Sequence, residues 1–432
     1  MNIENSTVDV PAMSTKAQRF SWCLFDFANS PFPTVIITAI YVIYFKDVVV
    51  GADKVGESDK LWGMANSLGA AVVFLTAPLL GAIADFSGKR RFFLVSFALL
   101  CMVATAALTF TGPGTVMLAF GAFVLALVGF EGSQVFYNSF LPTLVPPAQM
   151  DRLSGAGWAL GYLGGLGCLL ICLPIAMGGT WLHLIPLIVS VWFAVFAIPA
   201  FALLRDSKPE TPAGAIKSIQ MGTRRFVSTV LELGNYKNLL KFLAAFFFYN
   251  NAVATIIVFA VAFSKDSLAF TTTQNIVLII VMNVIAAPGA YVFGRIAEAK
   301  GGKRTIVITL LMWLAVVFGS ELAAWPGLFT VDGAQTCFWA VAVLASLCIG
   351  ASQATSRAFV GQLAPEGRSG EFFGFMAFAG KGSAIVGPLV FGLVSDAFSS
   401  QRMAVLSIGV FFAIGLLLMS FVSDPSRRQT VQ

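Results

Sequence analysis

The sequence predicts an all-α integral membrane protein, with twelve transmembrane helices in two six-helix bundles related by a parallel internal repeat. Three observations predict this fold. The 432-residue chain is 58% hydrophobic and 11% charged, whereas soluble domains carry about 25% charged residues. Apolar stretches of ~20 residues, the length that crosses the hydrocarbon of a bilayer, recur along the chain. Segments of the second half also repeat segments of the first.

Apolar stretches define the twelve predicted spans, and the polar segments between them divide the chain. The spans are 20–45, 60–83, 91–111, 115–142, 153–177, 182–204, 238–264, 272–295, 304–325, 335–363, 370–396 and 403–423. The predicted divisions are a cytoplasmic tail (1–18), an N-terminal bundle (19–204), a central cytoplasmic loop (205–237), a C-terminal bundle (238–423) and a second cytoplasmic tail (424–432). Around Arg224 and Arg225 the loop is expected to form a short surface helix.

The positions of the basic residues predict the orientation. With the N-terminus in the cytoplasm, twenty of the 27 Lys and Arg residues fall on the cytoplasmic side and five on the other. This bias is the positive-inside pattern, and it predicts a bacterial inner-membrane protein with both termini cytoplasmic. The net charge of +6 does not indicate nucleic-acid binding, because the basic residues lie in short loops between spans.

The other chemistry-bearing residues indicate no cofactor. All six Cys lie in apolar stretches, and the chain has one His, so neither a metal site nor a disulfide framework is expected. We find no Walker motif and no catalytic cluster near a membrane face, so the chain is expected to be neither ATP-driven nor an enzyme. The expected partners are a small-molecule solute and the lipid bilayer, and the protein is expected to be a monomer.

Three pairs of segments carry the internal repeat. "GAIADFSGKRR" (81–91) matches "GRIAEAKGGKR" (294–304), "SQVFYNSFLPTLVPP" (133–147) matches "SQATSRAFVGQLAPE" (352–366), and "FANSPFPTVII" (27–37) matches "YNNAVATIIVF" (249–259). The third match places Asn29 on Asn250. Six predicted spans separate the copies, an even number, so both copies cross the membrane in the same direction. Parallel six-span repeats are typical of major facilitator transporters.

The first of these segments resembles the signature that major facilitators carry between their second and third spans. A close helix contact at the first glycine, a carboxylate that meets a basic residue or a helix N-terminus, and a tight turn at the second glycine are expected. The residues of the signature are Gly81, Asp85, Gly88, Lys89 and Arg90, and those of its second copy are Gly294, Glu298, Lys303 and Arg304.

Four longer segments give a narrower resemblance. "FDFANSPFPTVI", "FYNSFLPTLVPP", "RLSGAGWALGYLGG" and "EFFGFMAFAGKGSAIVGPLVFGL" resemble the major facilitator family that includes the fungal vacuolar amino-acid effluxers linked to autophagy and many bacterial members. The resemblance covers most of the chain. It implies transport of an amino acid or a similar small polar solute, and it does not fix which one.

Four charged residues lie well inside predicted spans: Asp26, Glu131, Arg357 and Lys381. Each costs roughly 2.5–3.5 kcal/mol at the centre of a membrane helix, so they are expected to face the bundle interior, water or each other. The two acids lie in the first half and the two bases in the second. Fixed structural ion pairs and a Glu131–Arg357 gate are the competing interpretations to a role in transport.

Polar residues share helix faces with these charges, at spacings of three, four or seven residues. These neighbours are Asn29, Gln134, Asn138 and Gln353, with Asn250 as the repeat partner of Asn29 and Trp158 and Tyr162 as a further candidate pair. Arg357 is the predicted ligand of a solute carboxylate, because its guanidinium is a permanent, forked donor.

The sequence therefore predicts a secondary active transporter of an amino acid or a related carboxylate or zwitterion that works by alternating access. Proton coupling through Asp26 or Glu131 is left open. A drug or sugar carrier of the same superfamily is the main alternative, and a non-transporting membrane sensor is a second one.

Overall fold

The structure is a computed structural model, and it describes residues 14–206, 214–398 and 401–425. The regular structure in these residues is helical. The α-helices are α1 (Lys16–Asn29), α2 (Tyr41–Tyr44), α3 (Val55–Ser87), α4 (Arg90–Ala107), α5 (Val116–Ser139), α6 (Leu141–Leu144), α7 (Pro147–Gly178), α8 (Ile185–Leu203), α9 (Ala215–Leu231), α10 (Lys237–Leu268), α11 (Thr272–Lys300), α12 (Gly302–Ala323), α13 (Val331–Leu363), α14 (Ser369–Phe398) and α15 (Gln401–Ser420). Short 3₁₀ turns lie at Leu108–Phe110, Leu182–Leu184 and Leu233–Tyr236.

The helices confirm the predicted membrane fold. Within the described residues, ten helices are long and apolar enough to cross a bilayer, and a bent pair before α3 supplies an eleventh span. Helix α14, 30 residues long, occupies the position of the predicted eleventh span and brings the total to twelve. The predicted surface helix is α9, which runs from Ala215 to Leu231.

The first span differs from its prediction, because it is not one continuous helix. Wide π-helical turns follow α1 at Phe32–Ala39 and recur at Phe45–Gly51, and the span bends by 42° near Ile40. Pro31 and Pro33 lack the N–H groups that α-helical turns would use. The chain responds with longer-range bonds, such as the one from the Ile40 N–H to the Val35 carbonyl.

Buried apolar side chains form two separate clusters. One draws almost entirely on residues 22–204, and the other almost entirely on residues 239–422. Each half of the chain thus has its own hydrophobic core, and polar residues are left to occupy positions between the halves.

The two halves touch along one face of the molecule, which we call the basic face. It carries the start of α1, the α3–α4 turn, α9, the α11–α12 turn and the start of α14. Here α3 packs on α14, and α7 packs on α11 and α13. Glycines allow the backbones to meet: a Cβ built on Gly155 would lie 2.6 Å from the Ala290 carbonyl oxygen and 2.9 Å from Gly294 Cα. The halves are therefore closed against each other at the basic face.

Candidate functional site

The four charged side chains inside the spans form two ion pairs, and each pair joins the two halves. Arg357 on α13 pairs with Asp26 on α1 at 2.8 Å, and Lys381 on α14 pairs with Glu131 on α5. Of the three environments expected for these charges, the structure shows that they face one another. The Glu131–Arg357 gate is wrong for this structure, because the α5 residue that Arg357 reaches is Asn138, two helical turns from Glu131.

Arg357 is almost entirely enclosed by protein. One Nη1–H bonds the Asp26 carboxylate, and the same nitrogen lies 3.4 Å from Asn138 Oδ1. Its Nε and Nη2 donate to the hydroxyl and carbonyl oxygens of Ser154, each at 2.8 Å. Only 3% of the residue is exposed. Arg357 thus links α13 to α1, α5 and α7 at once. Its predicted role as the carboxylate ligand stays a prediction.

Three aromatic rings surround the guanidinium of Arg357. Its Cζ lies 4.7 Å from the ring centre of Trp22 and 5.5 Å from those of Tyr137 and Trp158. Ring faces stabilise a cation at such distances, most strongly where water is excluded. Gly157 makes room for the pair, because a Cβ there would lie 2.7 Å from Asp26 Oδ2.

Sequence reasoning missed Trp22, Tyr137 and Ser154. Trp22 lies four residues before Asp26 on the same helix face, a spacing that could have included it. Tyr137 and Ser154 carry no comparable signal, because only the packing of α5 and α7 brings them to Arg357.

The Glu131–Lys381 pair has a more open environment than the Asp26–Arg357 pair. The Lys381 side chain is 24% exposed and that of Glu131 is 17% exposed, although both lie well inside spans. Phe74 and Phe378 stack with ring centres 4.0 Å apart, one ring from each half, and Phe378 lies three residues before Lys381 on α14. An ion pair that bridges the halves and is still accessible can be broken by a solute that offers both charges.

Amide side chains make two further contacts between helices, one joining α1 to α5 and one joining α10 to α14. Gln134 approaches Asn29 at 3.5 Å, and Asn250 donates to Ser383 Oγ at 2.8 Å. Within the described residues, Asn29 Nδ2 and Gln134 Oε1 are buried without a hydrogen-bond partner. Buried polar atoms are costly when they are unsatisfied, so these two atoms are suited to bind a polar solute.

The remaining candidates lie on α7 and α13 near Arg357. The rings of Trp158 and Tyr162 contact each other, with centres 5.8 Å apart, and Trp158 Nε1 is a further buried donor without a partner in the described residues. Gln353 is half-buried one turn before Arg357. The structure therefore brings the predicted residues of α1, α5, α7, α13 and α14 to the space between the halves.

The first signature segment binds the opposite half, as its chemistry predicts. The Asp85 carboxylate accepts from Arg90 Nε at 2.6 Å and from the backbone N–H groups of Gly370 and Glu371 at 3.0 and 2.9 Å. Those amides open α14, where a carboxylate is favoured by the unpaired N–H groups and the helix dipole. Gly88 ends α3 in the left-handed region, at φ 65°. Gly81 contacts the Gly370 backbone directly, and Lys89 is exposed.

The second copy of the signature makes fewer polar contacts than the first. Gly294 packs closely on Gly155, and Lys303 donates to the Ser420 carbonyl at 3.0 Å. Glu298, the counterpart of Asp85, is half-buried and makes no hydrogen bond or ion pair within the described residues. Arg304 is exposed. The α7 turn that would match the start of α14 is already inside a helix that begins at Pro147, so no free N–H groups await the Glu298 carboxylate.

A helical membrane protein whose two halves meet along one face, with ion pairs and amides between them, has the architecture of a major facilitator transporter. Solved structures share the fold. The human organic anion transporter MFSD10 (TETRAN) aligns with a TM-score of 0.73 at 14% identity, over 94% of this chain and all of that one. The proton:xylose symporter XylE aligns with a TM-score of 0.73 at 14% identity, over 94% of this chain and 96% of that one.

Comparison of the sequence with known proteins identifies the family. Residues 61–432 match the family model described as "Vacuole effluxer Atg22 like", and the chain belongs to that family. The "Uncharacterized MFS-type transporter YxiO" of Bacillus subtilis (strain 168) is 27% identical over 96% of this chain and 97% of its own length. The predicted family is confirmed, and the protein is an integral membrane transporter rather than an enzyme.

Proposed function

We propose that the protein transports a small zwitterionic solute of the amino-acid class by alternating access, and that Glu131 and Lys381 hold its two charged ends. The observation that carries this proposal is the accessible ion pair between the halves. An ammonium group competes for Glu131 and a carboxylate competes for Lys381, so a zwitterion replaces both halves of the pair without a change in net charge. A solute with only one charge leaves one partner unpaired, which is costly in a partly buried site.

Lys381 is a better candidate than Arg357 for the carboxylate ligand in this state. The donors of Arg357 already bond to three other residues, and all of them would have to be reorganised. Lys381 offers a point charge that is partly exposed, and Ser383, which accepts a bond from Asn250, lies two residues further along α14. Asn29, Gln134 and Trp158 then supply neutral hydrogen-bond partners toward the basic face.

A sugar carrier is the second candidate function. The relevant observation is the group of buried amide and indole atoms without partners, which would suit hydroxyl groups, and XylE with a similar fold is described as a xylose symporter. A neutral sugar does not require a partly exposed ion pair between the halves, so the zwitterion is favoured.

Uptake into proteoliposomes separates these possibilities. We expect uptake of labelled amino acids and no uptake of labelled xylose. Lys381→Met should weaken amino-acid binding about 10- to 100-fold, because hydrogen bonds to charged groups contribute ~1.5–3 kcal/mol, and should not weaken binding of the amide analogue, which has no carboxylate. Glu131→Gln should weaken binding of the amino acid and should not weaken binding of the analogue that lacks the amine.

The matched control is Lys46→Met, which breaks a partly exposed ion pair with Asp59 far from the site and should leave uptake unchanged. Xylose uptake that survives in both site variants would overturn the zwitterion proposal in favour of the sugar carrier.

We further propose that the basic face is cytoplasmic and that the protein works as a monomer with one site between two six-helix bundles. If transport is coupled to protons, Glu131 is the better candidate, since Asp26 is enclosed with Arg357. An imposed pH gradient should then stimulate uptake by the wild type and have no effect on Glu131→Gln.

A further inference from the structure

Helix α9 lies across the junction of the two halves at the basic face. On the first half, Gly222 packs so closely on α3 that a Cβ would lie 2.7 Å from Ile83 Cα. On the second half, Phe226 stacks on Phe375 of α14 with ring centres 6.3 Å apart, and Thr229 receives a bond from Arg368. One face of α9 is therefore occupied by the protein, and it bridges α3 and α14 where they close.

A second face of α9 is exposed and mainly apolar, with Gln220 as an exposed polar residue within it. Its large apolar residues recur at helical spacing, and each is between 41% and 81% exposed; they are Ile216, Ile219, Val227, Val230 and Leu231. Such a stripe beside a polar face is typical of a helix that lies in the plane of a membrane surface.

The depth of α9 matches that location. Phe375 is six residues into α14, about 9 Å from its start at 1.5 Å per residue, and Ile83 is in the penultimate turn of α3. Helices of this kind sit about 5–10 Å into the boundary between headgroups and acyl chains. The apolar stripe thus faces the outer edge of the hydrocarbon beside α3 and α14.

Basic residues border the apolar stripe on its other side. Lys217 and Arg224 are exposed and seven residues apart, so they share one face of α9. Residues Lys237 and Lys241 follow at the start of α10, also at the basic face. This order around the helix, from protein to apolar stripe to basic edge, is complementary to a bilayer surface with negatively charged headgroups.

We propose that α9 binds the anionic lipid surface of the leaflet at the basic face and, while bound, holds α3 and α14 together. The apolar stripe enters the acyl boundary, and Lys217 and Arg224 contact the phosphate groups of anionic lipids. Anionic lipid therefore stabilises the state that is closed at the basic face. This holds for any transported solute, and its test is independent of the proposed function.

The first part of the test measures depth in the full-length protein. An environment-sensitive fluorophore is attached to Val227→Cys, and for comparison to Glu232→Cys just beyond α9, in nanodiscs of phosphatidylcholine and phosphatidylglycerol. We expect quenching by acyl-chain spin labels at position 227 and little at 232. A label at 227 that remains in water would overturn the proposal and favour a soluble partner for this face.

The second part measures backbone hydrogen exchange of α9 and of the ends of α3 and α14, in phosphatidylcholine alone and with phosphatidylglycerol added. We expect anionic lipid to slow exchange by about fivefold for each basic residue involved. Lys217→Glu with Arg224→Glu should abolish this difference, and Lys54→Glu with Lys60→Glu, the same charge change away from the basic face, should retain it. Equal exchange in both lipids in the wild type, or a lipid effect that survives in the α9 variant, would overturn the proposal.

Discussion

At the scale of single residues, Arg357 and Asp26 form the more deeply buried of the two ion pairs that join the halves inside the spans. Both side chains are at most 6% exposed, and the rings of Trp22, Tyr137 and Trp158 exclude water from the guanidinium. Breaking a buried ion pair on one side costs more than removing both partners, because the remaining charge is stranded in a poorly hydrated site.

Arg357→Met should therefore lower the free energy of unfolding by about 3–5 kcal/mol, measured by thermal unfolding in nanodiscs. The double variant Asp26→Asn, Arg357→Met should recover much of that loss. Lys54→Met, which removes an exposed pair with Glu57, is the control and should change stability by at most about 1 kcal/mol. A double variant as unstable as the single one would show that Arg357 acts through Ser154 and the rings instead of neutralising Asp26.

The sequence identifies these charged residues but not their partners. A charge inside an apolar span stands out because of its cost in lipid, so Asp26, Glu131, Arg357 and Lys381 could all be found by inspection. Pairing depends on how α1, α5, α13 and α14 are rotated and shifted against each other, and this is set by close packing at glycines such as Gly157. For that reason the alternative Glu131–Arg357 pair was plausible from sequence and is absent from the structure.

At the scale of helices, the two signature segments are chemically unequal. The Asp85 carboxylate has three bonds to Arg90 and the start of α14. Glu298 has none within the described residues. The internal repeat suggests that Asp85 and Glu298 are equally important. Their contacts with the surrounding helices do not support this.

Asp85→Asn should weaken closure at the basic face much more than Glu298→Gln does. Loss of a charge-assisted bond costs ~1.5–3 kcal/mol, so we expect reactivity at the junction to rise about tenfold or more. The measurement is alkylation of a Ser369→Cys variant by a water-soluble maleimide, since Ser369 on α14 is buried against the Ser139 carbonyl. Equal rates in the two carboxylate variants would mean that Asp85 does not hold α14 in place.

Gly155→Ala should also weaken closure at the basic face, because the added methyl group would clash with α11. Its Cβ would lie 2.6 Å from the Ala290 carbonyl oxygen, and overpacking of this kind costs ~1–3 kcal/mol. We expect the alkylation rate at Ser369→Cys to rise at least about fivefold. The control is Gly121→Ala on α5, where a Cβ meets nothing within 4 Å. An unchanged rate would show that α7 and α11 can separate without affecting closure.

The limits of prediction at this scale have physical causes. Long apolar segments predict spans well, because length and hydropathy are local properties. The bend near Ile40 was not predicted, since the residues on both sides are equally apolar and the change lies in backbone hydrogen bonding. The close approach of α7 to α11, at Gly155 and Gly294, is known only from the assembled structure, because the sequence does not show which helix faces meet.

At the scale of the whole molecule, the distribution of basic residues predicts which face is cytoplasmic. Twenty of the 27 Lys and Arg residues are assigned to one side, and the positive-inside bias then places that side in the cytoplasm. Reporter fusions at Gly214 and Gln432 should both give cytoplasmic signals in a bacterial host. A fusion after Lys54, on the opposite face, should give a periplasmic signal, and a periplasmic signal at Gly214 would reverse the proposed orientation.

The two neutral ion pairs also have an electrical consequence. One elementary charge moved across a membrane potential of 100 mV changes the free energy by about 2.3 kcal/mol. Each pair places one positive and one negative group between the halves, so a rocking motion that carries them together moves no net charge through the field. If the solute is a zwitterion, as proposed, it adds none. Without a coupling ion, the membrane voltage then neither drives nor opposes the cycle, and a co-transported ion would be the one net charge on which the voltage acts.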